Sequence, residues 1–112
     1  MNTLDLVKRI TDILDDRQAI DIEVLEVKDL TTVTDYMIIC SGRASTHVKS
    51  LGERVEEVLE KEENIFALRK EGMTGGVWSV LDYGDVLVHV MLPEIRQSYQ
   101  LEKLWAKNRV VD

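Results

Sequence analysis

Hydrophobic residues recur at intervals of three and four in two long segments, a spacing that predicts amphipathic α-helices. The first helix is predicted over residues 3–16, with Thr3 as its cap. The second is predicted after Ser45 or Thr46, either of which can cap it, and extends through the glutamate-rich segment to about residue 63. A last helix is predicted to begin at Pro93, because proline is favoured in the first turn. It carries the apolar and aromatic residues Ile95, Tyr99, Leu101, Leu104 and Trp105.

Shorter apolar segments lie between these helices and have the length of β-strands. Residues 20–27 place apolar side chains between acidic ones, which predicts a strand. Residues 36–40 are continuously apolar, as in a central strand covered on both faces. Residues 77–81 and 86–91 flank the turn sequence Asp82-Tyr83-Gly84-Asp85, which predicts a β-hairpin. Residues 64–73 are predicted to be irregular or to hold a short strand near residues 66–68.

The predicted order αββαββα indicates an α/β fold: a mixed β-sheet of about four to five strands flanked by helices. We expect one domain over residues 1–112, a length that buries a single core. No apolar run approaches the roughly 18 residues that span a bilayer, so no membrane contact is expected. The first residues resemble neither a secretory signal nor a transit peptide, so we expect a cytoplasmic protein.

The chain is acidic, with a formal net charge of −7, and the charge is concentrated in residues 1–35. Proteins that bind nucleic acid directly need clustered Lys and Arg to displace phosphate counterions. No basic run is present, so we expect no direct DNA or RNA binding. A basic protein is a better electrostatic match for this acidic chain than a nucleic acid.

A catalytic site is not evident, and we expect no catalytic residue, small-molecule substrate, cofactor or metal. Asp82 and Asp85 lie across a turn, whereas metal-dependent nucleotide transfer typically uses Asp-x-Asp on one strand. The alternative, a divalent-metal-dependent nucleotidyltransferase-like enzyme, would have to use those two carboxylates. Cys40 lies in an apolar run and is predicted to be a core thiol.

The two histidines leave several roles open. His47 begins the second helix, where it can contribute to a cap or bind an anion. The preceding loop, residues 41–45, has one glycine and lacks the Gly-Lys-Ser/Thr of a phosphate-binding loop. His89 alternates with Val88 and Val90, so it is a core histidine, a partner contact or, least favoured, a catalytic base.

Four of the six aromatic residues, Trp78, Tyr83, Tyr99 and Trp105, lie in the last third of the chain. Such residues either pack the hairpin against the last helix or stay exposed as interface anchors, a role in which Trp and Tyr are enriched.

Residues 78–90 have the pattern W-x-x-x-D-x-G-D-x-x-V-H-V. This pattern resembles the hallmark motif of the ribosome-silencing factor family, also called Iojap-like, and is intact here. Three further segments match in order, at residues 34–42, 45–48 and 96–105, and the resemblance runs from about Ile20 to Trp105. Met91 stands where many members carry Phe.

The resemblance implies a fold related to nucleotidyltransferases without their catalytic carboxylates, and a homodimer when free. It also implies a translational repressor that binds the large ribosomal subunit through a basic protein, the fourteenth in the standard naming. Bound there, the factor sterically blocks association with the small subunit under nutrient limitation.

Seven residues are candidates for the partner-binding site. The aromatic anchors are Trp78, Tyr83 and Tyr99, while Asp82, Asp85 and Glu94 are expected to face basic residues of the partner. Met91 is expected to add an adaptable apolar contact. Besides the enzyme, a dimeric adaptor for a non-ribosomal partner remains an alternative.

Overall fold

The computed structural model describes the backbone of residues 1–104 and 109–110 and the side chains of residues 1–103. The helices described there are α1 (Thr3–Asp16), α2 (Ser45–Glu63), α3 (Pro93–Tyr99) and α4 (Leu101–Leu104). The strands are β1 (Ile20–Glu26), β2 (Tyr36–Ser41), β3 (Arg69–Glu71), β4 (Trp78–Asp82), β5 (Val86–Met91) and β6 (Arg109–Val110). No helix in the described part of the chain is long and apolar enough to cross a membrane.

The strands form one mixed sheet in the order β3-β4-β5-β2-β1-β6, which confirms the predicted fold class. β2 and β5 pair in parallel, with Tyr36 opposite Val86, and the other pairs are antiparallel. The sheet has more strands than the four to five predicted because short strands extend both edges. One is β3, which directly follows residues 66–68, where a short strand was expected, and the other is β6.

The two faces of the sheet are covered unequally. Helices α1 and α2 pack on the first face, and their predicted apolar positions join those of the strands in the larger core. The second face has a smaller cluster of fully or nearly fully buried residues, which are Leu25, Val27, Met37, Ile39 and Met91. The C-terminal helices contribute Ile95 and Leu101 to that cluster, both only partly buried. The second face is therefore the less protected one.

Three local predictions at helix ends are corrected by the structure. Asn2 caps α1 in place of Thr3, because the Asn2 side chain accepts the N–H of Asp5 at 2.8 Å. Neither Ser45 nor Thr46 caps α2: its N-cap is Ala44, with no side-chain hydrogen bond. One long C-terminal helix was predicted, but Gln100 takes a left-handed conformation (φ +50°) and separates α3 from α4. Pro93 begins α3 as predicted, and Trp105 lies outside the described residues.

Candidate partner-binding surface

Alternate residues of the β4–β5 hairpin project from the second face. The register pairs Trp78 with Met91, Val80 with His89, and Asp82 with Leu87. Along β4, Trp78, Val80 and Asp82 are half-buried, while the intervening Ser79 and Leu81 are fully buried beneath the helices. We define the open face as the surface formed by Trp78, Val80, Asp82, Leu87 and the exposed Tyr99.

Trp78 is the structural centre of the open face. Its indole Nε1 donates a hydrogen bond to Nδ1 of His89 at 3.0 Å. Its ring packs against the second-face cluster, and the centroid of the Tyr99 ring lies 4.8 Å from it. Trp78 therefore packs the hairpin against α3, which is one of the two predicted aromatic roles, while part of its side chain remains accessible.

Met91 lies beneath this surface. It was expected to add an apolar contact to the partner, but its side chain is completely buried in the second-face cluster. Its cross-strand neighbour is Trp78, and Ile95 of α3 packs against the same cluster. The structure therefore corrects the role of Met91 from contact residue to core residue.

His89 is buried, and among the described residues its side chain makes one hydrogen bond, to Trp78. Its side chain is 7% exposed, and Nε2 has no hydrogen-bond partner within the part of the chain that the structure describes. Because the buried imidazole is poorly solvated, its charged form is disfavoured and the pKa of His89 falls to about 4. The ring is therefore neutral at neutral pH, with Nδ1 as the acceptor and Nε2 carrying the proton.

Asp82 shapes the hairpin turn as well as the surface. One carboxylate oxygen accepts the backbone N–H of Gly84 at 2.8 Å, and the other lies 3.4 Å from Nε of Arg69. Gly84 takes a positive φ (+85°), a conformation that glycine adopts without a steric penalty. The Asp82 side chain is 16% exposed, so it can still contribute charge to the open face.

Asp85 is the last residue of the turn and is exposed, and its carboxylate accepts a hydrogen bond from the Thr3 hydroxyl at 3.2 Å. The two aspartates are thus bonded to different neighbours. Among the described residues, no group of three or more His, Cys, Asp and Glu is placed to hold a metal ion.

Tyr83 lies away from the other two aromatic candidates. It packs against the first-face core, and its hydroxyl is buried without a hydrogen-bond partner among the described residues. Burial, reinforced by Glu56 and Glu60 of α2, raises the pKa of Tyr83 well above its usual range. The structure therefore does not bring Tyr83 together with Trp78 and Tyr99, whereas Glu94 is exposed in the first turn of α3.

Two other predicted residues have structural roles. Cys40 is fully buried, as predicted, and burial raises the pKa of its thiol to about 12. His47 accepts the N–H of Arg43 at 2.9 Å and bonds the carbonyl of Arg17 at 2.9 Å, so it ties the start of α2 to the end of α1.

Val80 and Leu87 are the open-face residues that the sequence argument missed. Both are apolar and half-buried: Val80 lies between Trp78 and Asp82 on β4, and Leu87 lies opposite Asp82 on β5. The available signal was the alternation in the hairpin, which assigns them to the same face as Trp78 and Asp82.

Comparisons with known proteins identify close relatives of this architecture. A family model described as "Ribosomal silencing factor during starvation" matches residues 1–112. "Ribosomal silencing factor RsfS" of Zymomonas mobilis is 35% identical over 100 residues, which cover 89% of this chain and 74% of that protein. "Mitochondrial assembly of ribosomal large subunit protein 1" of Mus musculus is 31% identical over 101 residues, covering 88% of this chain and 44% of that protein.

A solved structure shows the same fold. The crystal structure of a protein from Chromobacterium violaceum superposes with a TM-score of 0.90 and is 36% identical. The superposition covers 95% of this chain and 88% of that one.

Proposed function

This chain belongs to the ribosomal silencing factor family, and on that premise we propose that it represses translation by binding the large ribosomal subunit and blocking association with the small subunit. The family description names starvation, which supports repression under nutrient limitation. The name of the mouse relative refers to the large ribosomal subunit, which supports that subunit as the target.

The open face is the observation that carries this proposal. It presents apolar and aromatic side chains that neither α1 nor α2 covers, which is typical of a protein-binding surface. A specific interface needs about 800 Å² on each partner. The molecule measures 34 × 34 × 24 Å, so one face can supply that area. Steric exclusion needs only occupancy and bulk, so the proposal assigns no catalytic residue, metal or cofactor.

The proposed direct partner is a basic large-subunit ribosomal protein, the fourteenth in the standard naming. Asp82 lies on the open face, Glu94 is exposed at the start of α3, and Asp85 is exposed beside the turn. Together with the net charge of −7, these acids favour encounter with a basic surface. Trp78 and Tyr99 provide the apolar centre, because aromatic residues supply much of the affinity in protein interfaces.

The proposal also includes a homodimer as the free form and a cytoplasmic location. Analytical ultracentrifugation of the purified protein tests the dimer: a sedimentation mass of twice 12.8 kDa is expected, and the monomer mass would contradict it.

The experiment for the partner compares binding of the labelled protein to isolated large subunits, isolated small subunits and the purified fourteenth large-subunit protein. Binding to the large subunit and to that protein, without binding to the small subunit, is expected. Binding to large subunits alone would keep the function but reject this direct partner. Binding to neither would favour a non-ribosomal adaptor, while Mg²⁺-dependent nucleotide binding lost in Asp82→Asn would favour the enzyme.

A further inference from the structure

The hydrogen bond between Trp78 and His89 assigns a definite chemical state to a buried histidine. Indole Nε1 is only a donor, so Nδ1 of His89 must accept and cannot carry a proton while the 3.0 Å bond exists. A neutral imidazole then carries its proton on Nε2, which has no partner among the described residues. Trp78 therefore makes the only hydrogen bond of this side chain within the described part of the protein.

The same bond restricts Trp78. The indole lies between the His89 ring, at a centroid distance of 5.9 Å, and the Tyr99 ring, at 4.8 Å. Tyr99 is 58% exposed on a short helix, whereas His89 is buried in a central strand pair. His89 is thus the more firmly held of the two neighbours that orient the indole.

We infer that His89 is a positioning residue for the open face: its unprotonated Nδ1 fixes the orientation in which the Trp78 ring is presented to the partner. This inference rests on the proposed function, because it concerns the same surface. The inference goes beyond the proposed function because it gives a buried residue a specific effect on affinity through the Trp78 indole N–H.

The surroundings of His89 favour the neutral ring. Apart from Trp78, its second-face neighbours on β2 and β5 are Met37, Ile39, Leu87 and Met91, none of which titrates. The charged or titratable groups described on this side include Glu23 on β1, Asp82, Arg69 and Glu71 on the outer strands, and Arg96 and Tyr99 on α3. Asp82 is bonded to Gly84 and Arg69, and within the described residues no carboxylate forms a hydrogen bond with the imidazole.

The test combines binding to large subunits with the NMR signal of the Trp78 indole N–H, which is assigned by its loss in Trp78→Phe. His89→Leu removes the acceptor and is expected to shift the indole signal and weaken binding about three- to tenfold. His89→Asn places an amide oxygen near the position of Nδ1 and is expected to restore both. Trp78→Phe keeps an aromatic ring but removes the hydrogen-bond donor. The affinity of the double variant Trp78→Phe/His89→Leu for large subunits should be no lower than that of the single variant with the lower affinity.

His47→Asn is the matched control, since His47 is equally buried but bonded at the α1–α2 junction. It should lower stability without changing the indole signal or the affinity. Wild-type affinity in a folded His89→Leu variant that has lost the indole bond would overturn the inference. If neither His89 variant folds, the test passes to Trp78→Phe, in which wild-type affinity would overturn the inference. Failure of the wild-type protein to bind large subunits is a separate result that removes the proposed function and the inference together.

Discussion

The aromatic rings of Trp78 and Tyr99 lie with their centroids 4.8 Å apart and their planes tilted by 58°. One residue belongs to a strand and the other to the helix that follows the hairpin, so the pair joins β4 to α3 at the edge of the second-face cluster. This arrangement gives the open face an aromatic centre that is partly fixed by the fold and partly accessible.

Tyr99→Ala is expected to weaken binding to large subunits at least about tenfold, because it removes an exposed aromatic anchor. The side chain is 58% exposed, so the free energy of unfolding should fall by no more than about 1 kcal/mol. Titration with large subunits and urea unfolding measure the two effects. Phe66→Ala is the matched control: Phe66 is similarly exposed but precedes β3, and its loss should leave the affinity unchanged.

Asp82→Asn is expected to lower the association rate constant for large subunits about two- to tenfold at low salt, because it removes a negative charge from the open face. The asparagine retains an oxygen that accepts the Gly84 N–H. Since Arg69 is largely exposed, loss of its ion pair should change stability by less than about 0.5 kcal/mol. Association rates measured across a salt series test this. Glu53→Gln, on the exposed side of α2, should show no comparable salt-dependent loss.

Gly72→Ala is expected to destabilise the protein by more than about 2 kcal/mol. Gly72 has φ +68°, and an added Cβ would lie 2.0 Å from the carbonyl oxygen of Trp78. Gly75→Ala is the matched control, because no atom lies within 4 Å of its added Cβ, and it should change stability by less than about 0.5 kcal/mol. Equal unfolding midpoints for the two variants would contradict the close approach of Gly72 to the carbonyl of Trp78.

Stability should fall as the pH is lowered from about 6.5 towards 4, in part through His89. Its pKa is lowered from 6.5 to about 4 in the folded protein, so the unfolded chain takes up the proton first. Protonation of His89 therefore does not lower the free energy of unfolding above pH 6.5. Below pH 4 it lowers the free energy of unfolding by about 3 kcal/mol. Urea unfolding at pH 7 and pH 5 measures it. A His89→Leu variant should show a shallower pH dependence, and an identical slope would show that His89 is not responsible.

The core was largely predictable because both helical and strand periodicities identify buried positions directly. Residues such as Ile10, Leu51 and Val88 follow those periods and are fully buried. The break at Gln100 was not predictable, since glutamine is a good helix former and its left-handed conformation has no residue signature.

The candidate site was predicted only in part. The open face contains Trp78 and Asp82, which the alternation of side chains along β4 assigns to one face. It also contains Tyr99, which α3 places against Trp78. Tyr83 was misplaced because it lies within the turn, where alternation no longer determines the face. Met91 was misplaced because its burial depends on Trp78 and on the packing of α3, a tertiary contact that strand alternation does not report.

Occupancy of the large subunit is proposed to block subunit joining. Purified protein is incubated with isolated large subunits, small subunits are added, and a sucrose gradient resolves free subunits from joined ribosomes. We expect the wild-type protein to migrate with large subunits and to reduce joining, and a folded Trp78→Ala variant to do both less well. Full joining in the presence of saturating wild-type protein that has bound the large subunit would show that occupancy does not block joining.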